Sequence, residues 1–391
     1  MSGYYLSAAH KSSGKTTVSI GLCAALNQDG YVVQPFKKGP DYIDPMWLSR
    51  AANRQCHNLD FHCAGHEFNT TLYQRYSADS DIALVEGNMG LFDGLSLDGS
   101  DSNAAMAKLL DLPVLLIVDC SGTSGGVAPL LTGYRVFDPE LRYAGVILNK
   151  LAGQRHESKI RALVEQHTDF KIFGAIHRSS SLHLTERHLG LIPSNEIEGE
   201  ADAFIQQLAQ QIRESVDLNH FKSSATTTQN SGPVATVVSP KVAVKSTHRV
   251  AIARDDAFGF YYPDDLQRFA ELGIELVAFD TTRDQELPEN IQGLFLGGGF
   301  PESRLPELSA NNSLLASIRN AIDAGLPTYA ECGGLMYLCQ DMLYQEQRYA
   351  LCNVIPATVH MNQRPQGRGY VKLQVTPQHP WYQNGQSLPA T

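Results

Sequence analysis

A chain of 391 residues, 43% hydrophobic and 18% charged, has ordinary globular composition and enough length for two or three cores. No apolar run reaches the roughly 18 residues needed to span a bilayer, and the start lacks the basic and apolar regions of a secretory signal. A net charge of −10 argues against a nucleic-acid binder, which needs a basic face, but leaves room for an acidic ligand in a local basic pocket. Seven cysteines without a CxxC pair read as reduced thiols in the cytoplasm.

Residues 1–218 alternate short apolar runs with helix-length segments. The runs are "YYLSA", "YVVQPF", "IALVEG", "VLLIVD", "AGVILN" and "HLGLIP". Rich in Val, Ile and Leu, they predict βα units and a parallel sheet buried on both faces, with ligands at the carboxyl ends of the strands. Between "YYLSA" and the apolar stripe Val18, Leu22, Ala25, Leu26 stands Gly14-Lys15-Thr16. Strand, turn, GKT, helix is the setting of a phosphate loop, although Ala9 replaces its first glycine. Free N–H groups and the dipole at the helix start attract phosphate, Lys15 adds charge, and Thr16 offers a hydroxyl to Mg²⁺. Ser13, Gly14, Lys15, Thr16 and Thr17 are therefore the expected nucleotide loop.

Carboxylates cluster at other strand ends. Glu86 follows a buried run, with Gly87 and Gly90 permitting close backbone approach, and Asp41 and Asp44 follow Lys37 and Lys38. Each is a candidate Mg²⁺ ligand or, equally, a loop carboxylate capping a helix. Asp93 and Asp98 are weaker candidates. Asn149, ending "AGVILN", is placed to read an adenine edge or simply to end a strand. The Ser-, Thr- and Pro-rich stretch 223–247 reads as a linker, with the boundaries drawn at 219–248. Residues 249–391 then form a second α/β domain. In "AGLPTYAECGGLMYL", Cys332 sits between a short strand and an apolar segment, on a glycine-rich elbow that exposes a nucleophile. Gly297, Gly298 and Gly299 upstream offer N–H groups for an oxyanion hole. Cys339 reads as core.

"QPFKKGPDYIDP", "VEGNMGLFDG", "ERHLGLIP", "FGFYYPDDL", "LGGGFPE" and "YAECGGLMYL", in this order, closely resemble the cobyrinic acid a,c-diamide synthase family. The resemblance implies a P-loop synthetase domain of the dethiobiotin synthetase type followed by a class I glutamine amidotransferase-like domain. By motif, Lys15, Thr16, Asp41 and Glu86 would hold MgATP. Tyr42, Asp44 and Asp93 would shape the substrate side, and Cys332 would release ammonia from glutamine.

The reaction implied is amidation of tetrapyrrole carboxylates through an acyl phosphate, with ammonia kept on a protected path. Lys37, Lys38, Arg178, Arg187, Arg364 and Arg368 are the candidate cations for a polycarboxylate, Arg364 and Arg368 foremost. His188 reads as either a family-motif residue or a structural histidine. A homodimer is one candidate assembly, and the sequence itself does not fix the oligomeric state. The chain departs from the family in two places. Relatives have a histidine beyond the "GYV" strand, whereas here only His360 and His379 stand near, so a shortened chain is expected; were the protein to end here, free ammonia would replace glutamine as donor. Relatives also have a histidine soon after Asp-Pro, where this chain has "DPMWL". That departure keeps sirohaem or nickel-sirohydrochlorin open as the acceptor. A P-loop regulatory ATPase and a silent tetrapyrrole-binding protein are the readings of another class.

Overall fold

A computed structural model describes residues 2–179, 186–187, 190–194, 198–227, 248–362, 366–367 and 369–390. Two compact units emerge, Met1–Thr236 with Gly369–Thr391, and Val237–Arg368.

The first unit is built on β1 (Ser2–Ala8), β2 (Val33–Lys38), β3 (His57–Leu59), β4 (Ile82–Gly90), β5 (Val114–Asp119), β6 (Tyr143–Leu151) and β7 (Ile172–His177). All seven are parallel, in the order β3-β2-β4-β1-β5-β6-β7, and Thr226–Thr227 adds an antiparallel pair at the start of β1. The helices are α1 (Lys15–Gln28), α2 (Ile43–Ala52), α3 (Gly65–Ser77), α4 (Asn103–Leu109), α5 (Val127–Phe137), α6 (Gln154–His167) and α7 (Glu198–Ser215). β5 reads Val-Leu-Leu-Ile-Val because both of its faces are covered, and its apolar residues are fully buried. Tyr5, Phe36, Tyr73, Val85, Leu116 and Leu148 join the core on one side of the sheet. Each such burial is worth about 1.5–3 kcal/mol, which offsets the chain entropy lost on ordering.

The stripe expected on α1 widens to a continuous buried run, Val18 to Leu26. The cause is a second layer: α7 packs so close that a Cβ on Gly21 would lie 2.6 Å from Ile212 Cγ1 and 2.9 Å from the Leu208 carbonyl oxygen. Two strand expectations change. "HLGLIP" does not join the sheet; its described residues Gly190–Leu191 pair instead with Glu186–Arg187. The seventh strand is "IFGAIH", whose Phe173 and Ala175 bury against the neighbouring elements. Residues Leu218–Ser224, placed by composition mostly in the linker, are helical, because Phe221 buries fully beneath Tyr4, whose hydroxyl donates to the Phe221 carbonyl at 2.7 Å.

The second unit carries a parallel sheet ordered Ile274–Phe279, His248–Ala253, Gly293–Leu296, Thr328–Ala330. Beside it, Phe258–Phe260 pairs with Gly298–Gly299, and Cys339–Tyr344, Gln347–Ala350 and Ile355–His360 form a small mixed sheet. Val371–Gln374, the "GYV" strand, pairs with Ser387–Ala390 and groups with the first unit. No helix among the described residues is long and apolar enough to cross a membrane.

Candidate active site

β1 ends beside the two strands that flank it, β4 and β5, so the turn into α1 opens where the sheet's order reverses. Ser12 and Gly14 both take left-handed conformations there, with φ of 63° and 86°. A Cβ on Gly14 would lie 2.3 Å from Asn149 Nδ2, so glycine is required twice over. β6 fixes this loop from the side. Asn149 Nδ2 donates to the Ser13 carbonyl at 2.8 Å, and Lys150 Nζ donates to the Ser12 carbonyl at 2.6 Å while pairing with Asp119 at 2.9 Å. Thr17 Oγ1 closes the first helical turn on the Gly14 carbonyl at 2.9 Å. This support from Lys150 and Asp119 went unread in the sequence; its one signal was Asp119 at a strand end.

Lys15 is 6% exposed and has no hydrogen bond or ion pair with a described residue. Burial lowers its proton affinity, and Glu86, Asp44 and Asp93 oppose that effect. Thr16 Oγ1 donates to Glu86 Oε1 at 2.8 Å and lies 3.2 Å from Asp44 Oδ2. Glu86 is 1% exposed, and its second oxygen, Oε2, has no partner among the described residues.

Lys37 lies at the centre of the carboxylates. Its ammonium contacts Asp44, lies 2.7 Å from Glu86 Oε1, and is 3.7 Å from Asp41. Burial works against its charge, but Asp44, Glu86 and Asp41 outweigh burial and hold it protonated. Asp41 turns its other oxygen to the N–H groups of Ile43 and Asp44, at 3.0 and 3.1 Å, and so caps α2. Burial and Asp44 push the Asp41 carboxyl up to about 7. Asp44 lies against Thr16, and Tyr42 sits at the start of α2. Asp93 Oδ2 accepts the Gly90 N–H at 2.8 Å, and Asp98 accepts from Ser100 in an exposed turn.

In the second unit, Cys332 adopts φ 47°, ψ −118° between Thr328–Ala330 and the helix Gly333–Leu338. That left-handed turn is held by glycines. A Cβ on Gly334 would lie 2.2 Å from the Leu296 carbonyl oxygen, and one on Gly298 would lie 3.3 Å from Cys332 Cβ. The thiol is exposed. Dense surroundings raise its pKa, the N–H groups of Gly333 and Gly299 oppose the rise, and Glu331 and Glu302 add to it.

Residues 8–192 match the CobQ/CobB/MinD/ParA nucleotide binding domain, and residues 249–386 match the CobB/CobQ-like glutamine amidotransferase domain. A cobyrinate a,c-diamide synthase of Magnetococcus marinus is 43% identical over 382 residues, 96% of this chain and 81% of that one. Those of Dehalococcoides mccartyi and Caldanaerobacter subterraneus are 39% and 34% identical, covering 93% and 98% of this chain and 79% and 84% of theirs. The chain belongs to the cobyrinate a,c-diamide synthase family. It is therefore an enzyme, a carbon–nitrogen ligase of the glutamine amidotransferase class.

Against the family pattern, Ser13 to Thr17, Glu86, Asp44 and Asn149 converge at one end of the sheet, and Cys332 meets the Gly298-Gly299 strand. Arg364, Arg368 and His188 lie outside the described residues. Arg178 donates to the Lys150 carbonyl at 3.1 Å. His360 lies in the small sheet, paired in register with Leu343, and His379 Nδ1 accepts from the N–H groups of Trp381 and Tyr382. Cys339 is buried, as its apolar setting demands. Trp47, in the departing "DPMWL", is fully buried and donates from Nε1 to the Ile192 carbonyl at 2.9 Å.

Proposed function

We propose that this enzyme amidates the a and c carboxylates of cobyrinic acid, using ATP and ammonia drawn from glutamine, through an acyl phosphate. The carrying observation is Thr16 held on Glu86 at the start of α1, with the buried Glu86 Oε2 unpartnered beside it. Hard oxygen donors in that arrangement fit Mg²⁺. Among the described residues no group of three or more His, Cys, Asp or Glu is spaced to hold a metal. Mg²⁺ keeps waters and substrate phosphates and takes one or two carboxylates. Thr16, Glu86 and Asp44 would hold it, with Asp41 supporting Asp44 through the α2 cap. Bound there, Mg²⁺ would offset charge on the phosphate oxygens.

Ser13, Gly14 and the first N–H groups of α1 receive the phosphates, and Lys15 places its ammonium against the outer ones. Asn149 keeps a second amide hydrogen and lone pair for the adenine edge. Tyr42 and Asp93 flank the acceptor acid. Its carboxylate oxygen attacks the γ-phosphorus and ADP leaves; ammonia then attacks the acyl carbon, phosphate leaves, and the nitrogen sheds a proton. Cys332 supplies that ammonia by attacking the glutamine side-chain amide, with the N–H groups of Gly298, Gly299 and Gly333 around the developing oxyanion. Water then releases glutamate.

The test is incubation of the chain with MgATP, glutamine or ammonium, and cobyrinic acid carrying ¹⁸O in its carboxylates. Mass spectrometry should find two amides per macrocycle and ¹⁸O in the released phosphate. Sirohaem and nickel-sirohydrochlorin serve as parallel acceptors. Label-free phosphate, or no amide, would overturn the reading.

A further inference from the structure

Lys37 and Lys38 are adjacent on β2 and project to opposite faces of the sheet. Lys37 has three carboxylates around it. Lys38, also buried at 6% exposure, has no hydrogen bond or ion pair with a described residue; its Nζ lies 5.9 Å from the Phe61 ring. The carboxylates that act on it are Asp60 and Asp101, and both are already engaged. Asp60 accepts the Cys63 N–H and the Tyr370 hydroxyl, each at 2.7 Å, one on each oxygen. Asp101 accepts the N–H groups of Leu95 and Ser96 at 3.0 and 3.1 Å, again one on each oxygen.

A lysine this buried, with its ammonium unpartnered among the described residues, is costly, and burial lowers its proton affinity. On a face that also holds Phe36 and Leu59, an apolar side chain would pack at lower cost. Lys38 is the last residue of β2, at the ligand-binding end of a parallel sheet. On the adjoining strand and the loop after it, Met89 and Leu95 are 48% and 64% exposed. An anion attached to a broad apolar body suits these surroundings.

We propose that Lys38 is a substrate-binding residue that receives a carboxylate of the macrocyclic acid, one not undergoing reaction. It does so on the sheet face opposite the carboxylate cluster around Lys37. This rests on the tetrapyrrole reading above. The incoming carboxylate supplies the partner that Asp60 and Asp101 do not, and the Phe61 ring lies beside the ammonium.

The experiment uses the full chain with ammonium as nitrogen donor, so that the Cys332 unit plays no part. Lys38→Met and Lys38→Arg are compared with the wild type by spectral titration with cobyrinic acid without ATP, and by separate KM values for acid and MgATP. Lys38→Met should weaken acid binding and raise its KM about tenfold or more, the effect of one lost charge-assisted hydrogen bond. The KM for MgATP should stay within about twofold, Lys38→Arg should recover most of the affinity, and the Met variant should melt no lower than the wild type. Equal acid affinity in Lys38→Met, or equal rises in both KM values, overturns this inference while leaving the proposed function standing. A wild-type chain that binds no cobyrinic acid overturns both.

Discussion

Thr16 Oγ1 donates to Glu86 Oε1 at 2.8 Å, joining the first turn of α1 to the middle of β4. The same oxygen receives Lys37 Nζ at 2.7 Å, whereas Glu86 Oε2 receives nothing from the described residues. One carboxylate thus orients a hydroxyl and an ammonium and keeps an oxygen in reserve. Glu86→Gln preserves the shape and removes the charge. Amidation should fall about 10²-fold, the scale for losing one preorganised electrostatic partner, and half-saturating Mg²⁺ should rise. ADP release across a Mg²⁺ titration measures both. An unchanged Mg²⁺ requirement would reduce Glu86 to a counterion for Lys37.

The same geometry shows what a sequence can and cannot disclose. Gly14-Lys15-Thr16 and Glu-Cys332-Gly-Gly are local, because turn chemistry and strand–helix context sit within a few residues of each other. The division of labour between Asp41 and Asp44 is not local. Whether a carboxylate caps α2 or faces Thr16 depends on where α2 starts and how it docks on α1. Adjacent Lys37 and Lys38 look alike in sequence, and only the sheet assigns them opposite faces. "IFGAIH" interrupts its apolar run with Gly174 and Ala175, so it signals a strand less strongly than "VLLIVD". "HLGLIP" reads as a strand of the sheet because an apolar run does not reveal its hydrogen-bonding partner.

Gly14→Ala tests the loop. Alanine at φ 86° costs about 1–2 kcal/mol, and its Cβ would displace Asn149, which lies within 2.3 Å of that position. MgADP affinity by calorimetry should drop at least about tenfold, with a modest fall in the melting temperature. Unchanged affinity would show that Asn149 does not set the loop.

Trp47 tests whether the departing "DPMWL" segment governs the acceptor. It is fully buried, edge-on to Phe204 with ring centroids 5.8 Å apart, so its part is packing. Trp47→Ala should cost about 3–5 kcal/mol in denaturant melts of the first unit, a large share of the roughly 5–15 kcal/mol typical of a domain. Trp47→Phe loses the bond to the Ile192 carbonyl and should cost about 1–3 kcal/mol. Its preference among tetrapyrrole acids should be unaltered. A switched preference in Trp47→Phe would return this segment to the substrate side.

Cys332 gives a prediction in pH. Dense surroundings raise its pKa above the ordinary thiol value of about 8.5, the N–H groups of Gly333 and Gly299 pull the other way, and Glu331 and Glu302 reinforce the rise. The thiol form therefore dominates at neutral pH, and the reactive thiolate grows as pH increases. Alkylation by iodoacetamide, followed on the Cys332 peptide by mass spectrometry, should be slower at pH 7 than for a free cysteine and should still be climbing past about pH 9. Glu331→Gln removes one repelling charge and should shift the profile to lower pH. A rate that levels off below about pH 8 would mean the thiolate is already stabilised in the resting enzyme. Glutamine cleavage would then need no further base to remove the proton.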